Sequence, residues 1–183
     1  LNLRDRDTGL ARRIVPGQPG GMHTVTGLAH DRDSHVAYDP DINEEGLRAR
    51  SLKLAALQKT LKPPSVFGNP SGDLLLIGWG STRGAIEEAV ERTRAEGYKV
   101  SSVHLKFLQP MAPGMDEIMS GFTRVMTIES NWSDRPDEAF IDAHNRRYSA
   151  LATLLRARYL VDEVQEVYPE LSTVVARALK RAA

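Results

Sequence analysis

Cysteine is absent from this chain. No disulfide, thiol nucleophile, zinc ribbon or iron–sulfur ligand set can be built from these residues alone. An excess of either charge is missing too. The 24 lysines and arginines balance 24 aspartates and glutamates, so the formal net charge is zero. No global field draws the chain to nucleic acid or to an anionic membrane. Zero net charge also disfavours a free monomer and points to partner surfaces. No apolar run approaches the ~18 residues of a membrane-spanning helix, and no signal peptide is visible, so the expected compartment is cytoplasmic. Internal repeats and low-complexity tracts are lacking. The chain opens Leu1-Asn2-Leu3-Arg4 without an initiator methionine, as expected of a processed product or a piece of a longer protein.

What is present is ordinary in amount: 183 residues, 41% hydrophobic and 26% charged. That suffices for one domain with a full core and an appended arm. Residues 1–40 hold no sustained period and are punctuated by Pro16-Gly17-Gln18-Pro19-Gly20-Gly21. They read as an extended arm with at most a short strand near Met22 to Thr26. A helix is expected from Asn43, with Glu44 and Glu45 in its first turn and Leu47, Leu54, Leu57 and Leu61 on one face. Pro63-Pro64 ends it. Residues 41–66 are thus a helix and connector.

Residues 67–183 read as the compact domain. The run Asp73-Leu74-Leu75-Leu76-Ile77-Gly78-Trp79-Gly80-Ser81-Thr82-Arg83-Gly84 is a buried strand handing over to a helix. Ile86, Ala89, Val90 and Thr93 give that helix its apolar face, and Gly97 closes it. Val100 to Phe107 alternates Val103, Leu105 and Phe107 with Ser102, His104 and Lys106, which predicts a strand with one polar face near an edge or a partner. A short helix is expected around Asp116–Ser120, then a strand over Arg124–Glu129. A polar loop follows, and a helix with Tyr148, Leu151, Ala152 and Leu155 on one face. Tyr159-Leu160-Val161-Asp162 is a fourth candidate strand, and Leu171, Val174, Val175 and Ala178 mark a closing helix. Strands alternating with helices predict an α/β fold with a mostly parallel sheet and right-handed crossovers.

The glycine turn invites a dinucleotide reading, but the third glycine falls at Gly84, one place late. The second strand ends Phe107-Leu108-Gln109-Pro110, with no acid to hold a ribose hydroxyl. Ser81 or Thr82 is expected to cap the helix instead, leaving Gly78, Gly80, Ser81 and Thr82 as a candidate anion seat. A serine nucleophile elbow fails, because Trp79 and Arg83 stand where glycines are required. His30-Asp31-Arg32-Asp33-Ser34-His35 holds metal-ligand types at a spacing that suits no zincin, so no metal site is assigned; His30 is a candidate for contact with a neighbouring subunit. Glu129 and Asn131 stand at the carboxyl end of a strand, where α/β catalytic carboxylates occur, but no titrating partner is near in sequence. They are kept as supporting or interface candidates, and no catalytic residue is assigned. Arg146, Arg147, Arg156 and Arg158 can gather an anion or simply form a solvated helix face.

The order of these motifs resembles one family. The segment Thr26-Gly27-Leu28-Ala29-His30, the stretch from Asp73 to Met111, the strand ending Ile128-Glu129-Ser130-Asn131, and the stretch from Asn145 to Asp162 carry the resemblance. They are similar to the C-terminal part of the alpha subunit of 2-oxoacid:ferredoxin oxidoreductases, particularly the 2-oxoglutarate type. The resemblance implies a transketolase C-terminal-domain-like three-layer α/β sandwich, preceded by an extended N-terminal arm and helix. It implies a parent enzyme that oxidatively decarboxylates a 2-oxoacid to an acyl-coenzyme A and reduces ferredoxin. Thiamine diphosphate, Mg, an iron–sulfur cluster and coenzyme A are the implied cofactors, held elsewhere in an oligomer containing a beta subunit. The isolated chain is then expected to be inactive. A stand-alone nucleotide- or anion-binding module and a purely structural dimerisation domain are the alternatives. One departure is the stretch Glu163-Val164-Gln165-Glu166-Val167-Tyr168-Pro169, where many family members carry glycine and glutamine.

Overall fold

The computed structural model describes residues 5, 7–11, 13–23, 26–135, 137–159 and 164–166. Two compact units are distinguished by backbone contacts: Leu1–Leu61 with Gln109–Met111, and Lys62–Leu108 with Ala112–Ala183.

In the first unit, the described residues before Pro40 form neither helix nor extended strand. One antiparallel bridge joins His30 to Val36 across a tight turn. The Asp31 carboxylate closes that turn by accepting the backbone N–H groups of Asp33 and His35, each at 2.9 Å. Helix α1 spans Pro40–Thr60. It begins three residues before the expected Asn43, because Asp39-Pro40 is the stronger start signal. Asp39 accepts from the N–H groups of Asp41 and Ile42, and proline at the first position forfeits no hydrogen bond. Glu44 and Glu45 therefore fall in the second turn. No side chain of α1 is buried, and Leu47, Leu52 and Leu54 are exposed.

The second unit is built on a five-stranded sheet. Strands β1 (Val66–Phe67), β2 (Gly72–Trp79), β3 (Val100–Leu105), β4 (Phe122–Ile128) and β5 (Val164–Glu166) lie in the order β1-β3-β2-β4-β5. All neighbours are parallel except β1, an antiparallel edge that sequence reading missed. Helices α2 (Arg83–Ala95), α3 (Met115–Ser120) and α4 (Ala150–Tyr159) make the crossovers. Residues 72–79 form the longest strand, and Leu74 through Gly78 are fully buried because both faces of a central parallel strand are covered.

Register places Leu74, Leu76, Val100, Met126 and Ile128 on one face, where Ile86 and Val90 of α2 complete a core with Phe67 and Tyr98 packed against it. Strand alternation sends Leu75, Ile77, Val103 and Val125 to the other face. Moving from β3 back across β2 to β4, and on to β5, right-handed crossovers put α3 and α4 on that second face. Three layers result, and Met115, Leu151 and Leu155 are buried among them. Helix α2 ends where Gly97, at φ +93°, takes the left-handed conformation and donates to the Arg94 carbonyl.

Three local expectations are corrected. The strand expected over Val100–Phe107 stops at Leu105, and its polar face is buried at Ser102, 3% exposed, because Ser102 stands in register with Leu76 on the face that α2 covers. Neither Ser81 nor Thr82 caps α2; the Thr82 hydroxyl donates instead to the Trp79 carbonyl at 2.8 Å. Tyr159 belongs to α4 rather than to a strand. The rest of that expected strand, residues 160–162, lies outside the described residues, as does the helix expected over 171–178. The short strand near Met22 to Thr26 falls partly outside them.

Candidate functional site

Strands β2 and β4 lie side by side, yet their chains leave toward opposite faces, β2 into α2 and β4 into α4. Such a switch point is where open α/β sheets hold ligands, beyond the carboxyl ends of the strands. Gly78 of β2 pairs in register with Ile128 of β4, so the segments Gly78–Thr82 and Glu129–Asn131 leave the sheet together. Candidates drawn from two distant stretches of sequence thus share one edge. His30 belongs to the other unit.

The first segment is shaped by close approach. A Cβ on Gly78 would stand 2.2 Å from Ile86 Cδ1 and 2.8 Å from Thr82 Oγ1, so only glycine lets α2 pack this tightly. Gly80 follows at φ +64°, which turns the chain into a single 3-10 turn over Gly80–Thr82 and then α2. Gly80 and Ser81 are exposed there. A helix start carrying no side-chain cap can accept an anion on its backbone N–H groups.

The second segment is fastened. Glu129, 8% exposed, accepts from the Ser149 hydroxyl, from the backbone N–H groups of Leu151 (2.9 Å) and Ala152 (3.0 Å), and from Asn131 Nδ2 (2.7 Å). The carboxylate therefore serves as a long-range cap for the first turn of α4, whose orphan donors and positive dipole end favour a negative charge. Asn131 orients that carboxylate from the near side.

Beyond it, residues Ser130–Tyr148 loop out and return. Asp134 closes the neck of this loop. Its carboxylate accepts from Arg147 through Nε (2.9 Å), Nη2 (2.9 Å) and the backbone N–H (3.0 Å), and from Trp132 Nε1 (3.3 Å). Its own N–H donates to the Arg147 carbonyl, and its carbonyl accepts from Arg146 Nε. Side-chain hydrogen bonds from Arg147, then the Arg147 backbone N–H, hold the Asp134 carboxyl far below the usual carboxylate range. The Arg147 guanidinium is pushed up in turn, chiefly by its hydrogen bonds to Asp134. Tyr148 follows, with the Arg146 and Arg156 guanidinium groups each 4.8 Å from its ring centre.

On the α2 side of the edge, His104 sits in register with Gly78. Burial lowers its pKa, Arg83 and Lys106 lower it further, and Glu87 opposes them. His104 Nδ1 and Thr127 Oγ1 are buried without a hydrogen-bond partner among the described residues. In the first unit, His30 Nε2 lies 3.0 Å from Thr26 Oγ1 and lines a cavity of about 230 Å³ with Asn43 and Arg50. Among the described residues, no group of three or more His, Cys, Asp or Glu is placed to hold a metal ion. No helix among them is long and apolar enough to cross a membrane.

Sequence reading picked out Glu129 but missed Ser149, its partner 20 residues away, and missed the Asp134–Arg147 neck altogether. Both are long-range pairs with no fixed spacing. The one signal was the small polar Ser149 just ahead of the apolar Leu151-Ala152 run, an ordinary helix-start residue.

No protein-family model matches the chain. Over 168 residues, 90% of this chain and 22% of the relative, it is 36% identical to 2-oxoglutarate oxidoreductase subunit KorA of Mycobacterium tuberculosis. Over 134 residues, 69% of this chain and 21% of the relative, it is 31% identical to the alpha subunit of 2-oxoacid:ferredoxin oxidoreductase 1 of Aeropyrum pernix. Among solved structures, the 2-oxoglutarate:ferredoxin oxidoreductase of Magnetococcus marinus, with 2-oxoglutarate, coenzyme A and succinyl-CoA bound, superimposes with a TM-score of 0.70. That match is 25% identical and covers 100% of this chain and 30% of the other. The chain spans about a fifth of the length of the curated relatives it matches.

Proposed function

We propose that this chain, a relative of the alpha subunits of 2-oxoacid:ferredoxin oxidoreductases, serves as the C-terminal domain of such a subunit. The parent enzyme oxidatively decarboxylates a 2-oxoacid, with 2-oxoglutarate the leading candidate, to an acyl-coenzyme A and passes electrons to ferredoxin in the cytoplasm. The observation that carries this reading is the match to KorA across 90% of the chain, supported by superposition of the whole chain on the Magnetococcus enzyme. In this reading residues 67–183 are a transketolase C-terminal-like domain, and residues 1–40 and 41–66 are the arm and helical connector ahead of it in sequence.

The residues present argue for support rather than chemistry. With no cysteine, this chain offers no thiolate set for an iron–sulfur cluster. The carboxylates at the sheet edge do not fit a diphosphate-bound magnesium: Glu129 is spent on the α4 cap and Asp134 on Arg147. Thiamine diphosphate, its metal and the cluster therefore belong to other parts of the assembly, a beta subunit among them. What this domain supplies is a rigid edge. Glu129 and Asn131 fix the start of α4 and the loop before it. Gly78, Gly80, Ser81 and Thr82 offer an anion seat, and His30 serves as a contact for a neighbouring subunit.

The test is an assay of the chain alone with 2-oxoglutarate, coenzyme A, thiamine diphosphate, magnesium and a redox dye. No turnover is expected, and turnover by the isolated chain would overturn the reading. Calorimetric titration with coenzyme A and adenine nucleotides separates the alternative. Tight binding that Ser81→Glu abolishes would make the chain a self-contained nucleotide module.

A further inference from the structure

The cavity of about 230 Å³ in the first unit lies between the loop residues Leu28–His30 and one face of α1, which contributes Ile42, Asn43, Gly46 and Arg50. Asn43, Gly46 and Arg50 stand at i, i+3 and i+7, the spacing that lines up on one side of a helix. The loop is fastened against that side. Its backbone is bridged between His30 and Val36, Ala37 N–H donates to the Ala29 carbonyl at 2.9 Å, and Arg32 reaches the Glu45 carboxylate of α1 at 2.6 Å. The His30 ring is steadied by Thr26 Oγ1, 3.0 Å from Nε2.

The lining has one sign. No carboxylate is among its residues. Three that flank it are engaged elsewhere: Glu45 with Arg32, Asp31 with the N–H groups of Asp33 and His35, and Asp39 with the N–H groups of Asp41 and Ile42. Among the described residues, no carboxylate pairs with the Arg50 guanidinium and no partner engages the Asn43 side-chain amide. Gly46 is the second pointer. Inside a helix glycine is less favourable than alanine, and Gly46 has no positive φ to justify it. A Cβ there would stand 3.5 Å from Arg50 Nη1 and 4.0 Å from Nη2, so the guanidinium folds back over the glycine, and the space a side chain would take is left open.

An unpaired guanidinium offers parallel N–H groups at the spacing of carboxylate or phosphate oxygens. The volume lies below the about 300–1,000 Å³ of pockets that take drug-sized ligands, which suits one anionic group rather than a whole nucleotide. We propose that this cavity binds one carboxylate or phosphate group of a small anion, Arg50 supplying the charge and Asn43 and His30 the flanking hydrogen bonds. The site belongs to the first unit and does not rest on the reaction of the parent enzyme.

The test is titration of the purified chain with inorganic phosphate and, separately, with succinate at constant ionic strength, followed by amide chemical shifts of His30, Asn43, Gly46 and Arg50. Saturable shifts are expected with an affinity on the order of millimolar, as suits one charged anchor, and sodium chloride should not reproduce them. Saturation by phosphate alone identifies a phosphate site, and saturation by succinate alone a carboxylate site. Arg50→Gln should weaken binding at least about tenfold, and Arg50→Lys should restore only part of it, because the fork is lost. Gly46→Ala should raise the melting temperature yet weaken binding by about threefold or more, whereas a glycine kept for the fold predicts a lower melting temperature. Shifts that chloride reproduces, or saturation that Arg50→Gln leaves unchanged, overturn the proposal. So does silence toward both anions; if His30→Ala then blocks assembly with a beta subunit, His30 is a subunit contact and nothing more.

Discussion

Replacing Glu129 by alanine removes the acceptor on which three buried donors converge. The Ser149 hydroxyl and the N–H groups of Leu151 and Ala152 all point at this carboxylate, and all three residues are buried. Water does not reach them without opening the edge. A buried donor left unsatisfied costs about 1–3 kcal/mol, and the charge at a helix N-terminus adds up to roughly 1 kcal/mol. Allowing for relaxation of the first turn of α4, Glu129→Ala should destabilise the protein by about 3–5 kcal/mol. Against a total of about 5–15 kcal/mol that is a large share, and it corresponds to a fall in melting temperature of about 10 °C. Glu129→Gln keeps one acceptor oxygen and should lose less than half as much, about 1–2 kcal/mol. Urea unfolding followed by far-ultraviolet circular dichroism measures both. A Glu129→Ala loss below about 1 kcal/mol would refute the capping argument, because it would mean the donors find other partners.

Gly78→Ala forces a methyl against Ile86 Cδ1 and Thr82 Oγ1, and overpacking of this kind costs about 1–3 kcal/mol, readable in the same unfolding assay. Gly97→Ala strains the left-handed residue at the end of α2 and should cost about 1 kcal/mol, with the loss appearing as earlier thermal unfolding. Asp134→Asn removes the charge that holds Arg147 and should expose the loop between Arg135 and Arg146 to limited proteolysis while leaving the circular dichroism unchanged. The pH dependence of the same neck follows from its sign. Because the folded-state pKa of Asp134 is depressed, the neck's stabilisation is present above the unfolded carboxylate value near 4 and is lost only as pH falls through the much lower folded value. Protection of the loop from proteolysis or hydrogen exchange should therefore be unchanged between neutral pH and about pH 4; opening near pH 5 would contradict the assignment.

Much of this fold was legible because the strongest patterns were local. The apolar run Leu74–Ile77 sits on a central strand buried on both faces, and the i, i+3, i+4, i+7 set Ile86, Ala89, Val90 and Thr93 is the buried face of α2. What failed depended on neighbours. Ser102 reads as solvent-facing by alternation, yet it shares the Leu76 face of the sheet that α2 packs against, and strand periodicity does not show which face a helix covers. Thr82 has the chemistry of a cap, but the 3-10 turn before α2 aims its hydroxyl at the Trp79 carbonyl instead. Glu129 was visible as a carboxylate at a strand end. Its work, fastening a helix that starts 21 positions later, was not, because no sequence spacing encodes where α4 returns to β4.

The central claim is that this chain works as one domain of a larger 2-oxoacid:ferredoxin oxidoreductase. The most direct measurement replaces the matching segment of the Mycobacterium KorA subunit with this chain, assembles the chimera with the other subunits of that oxidoreductase, and follows electron transfer from 2-oxoglutarate in the presence of coenzyme A. The chimera should assemble and turn over, while the chain alone should do neither. A chimera that folds but neither assembles nor reduces the acceptor, or a chain that turns over 2-oxoglutarate by itself, would contradict the claim.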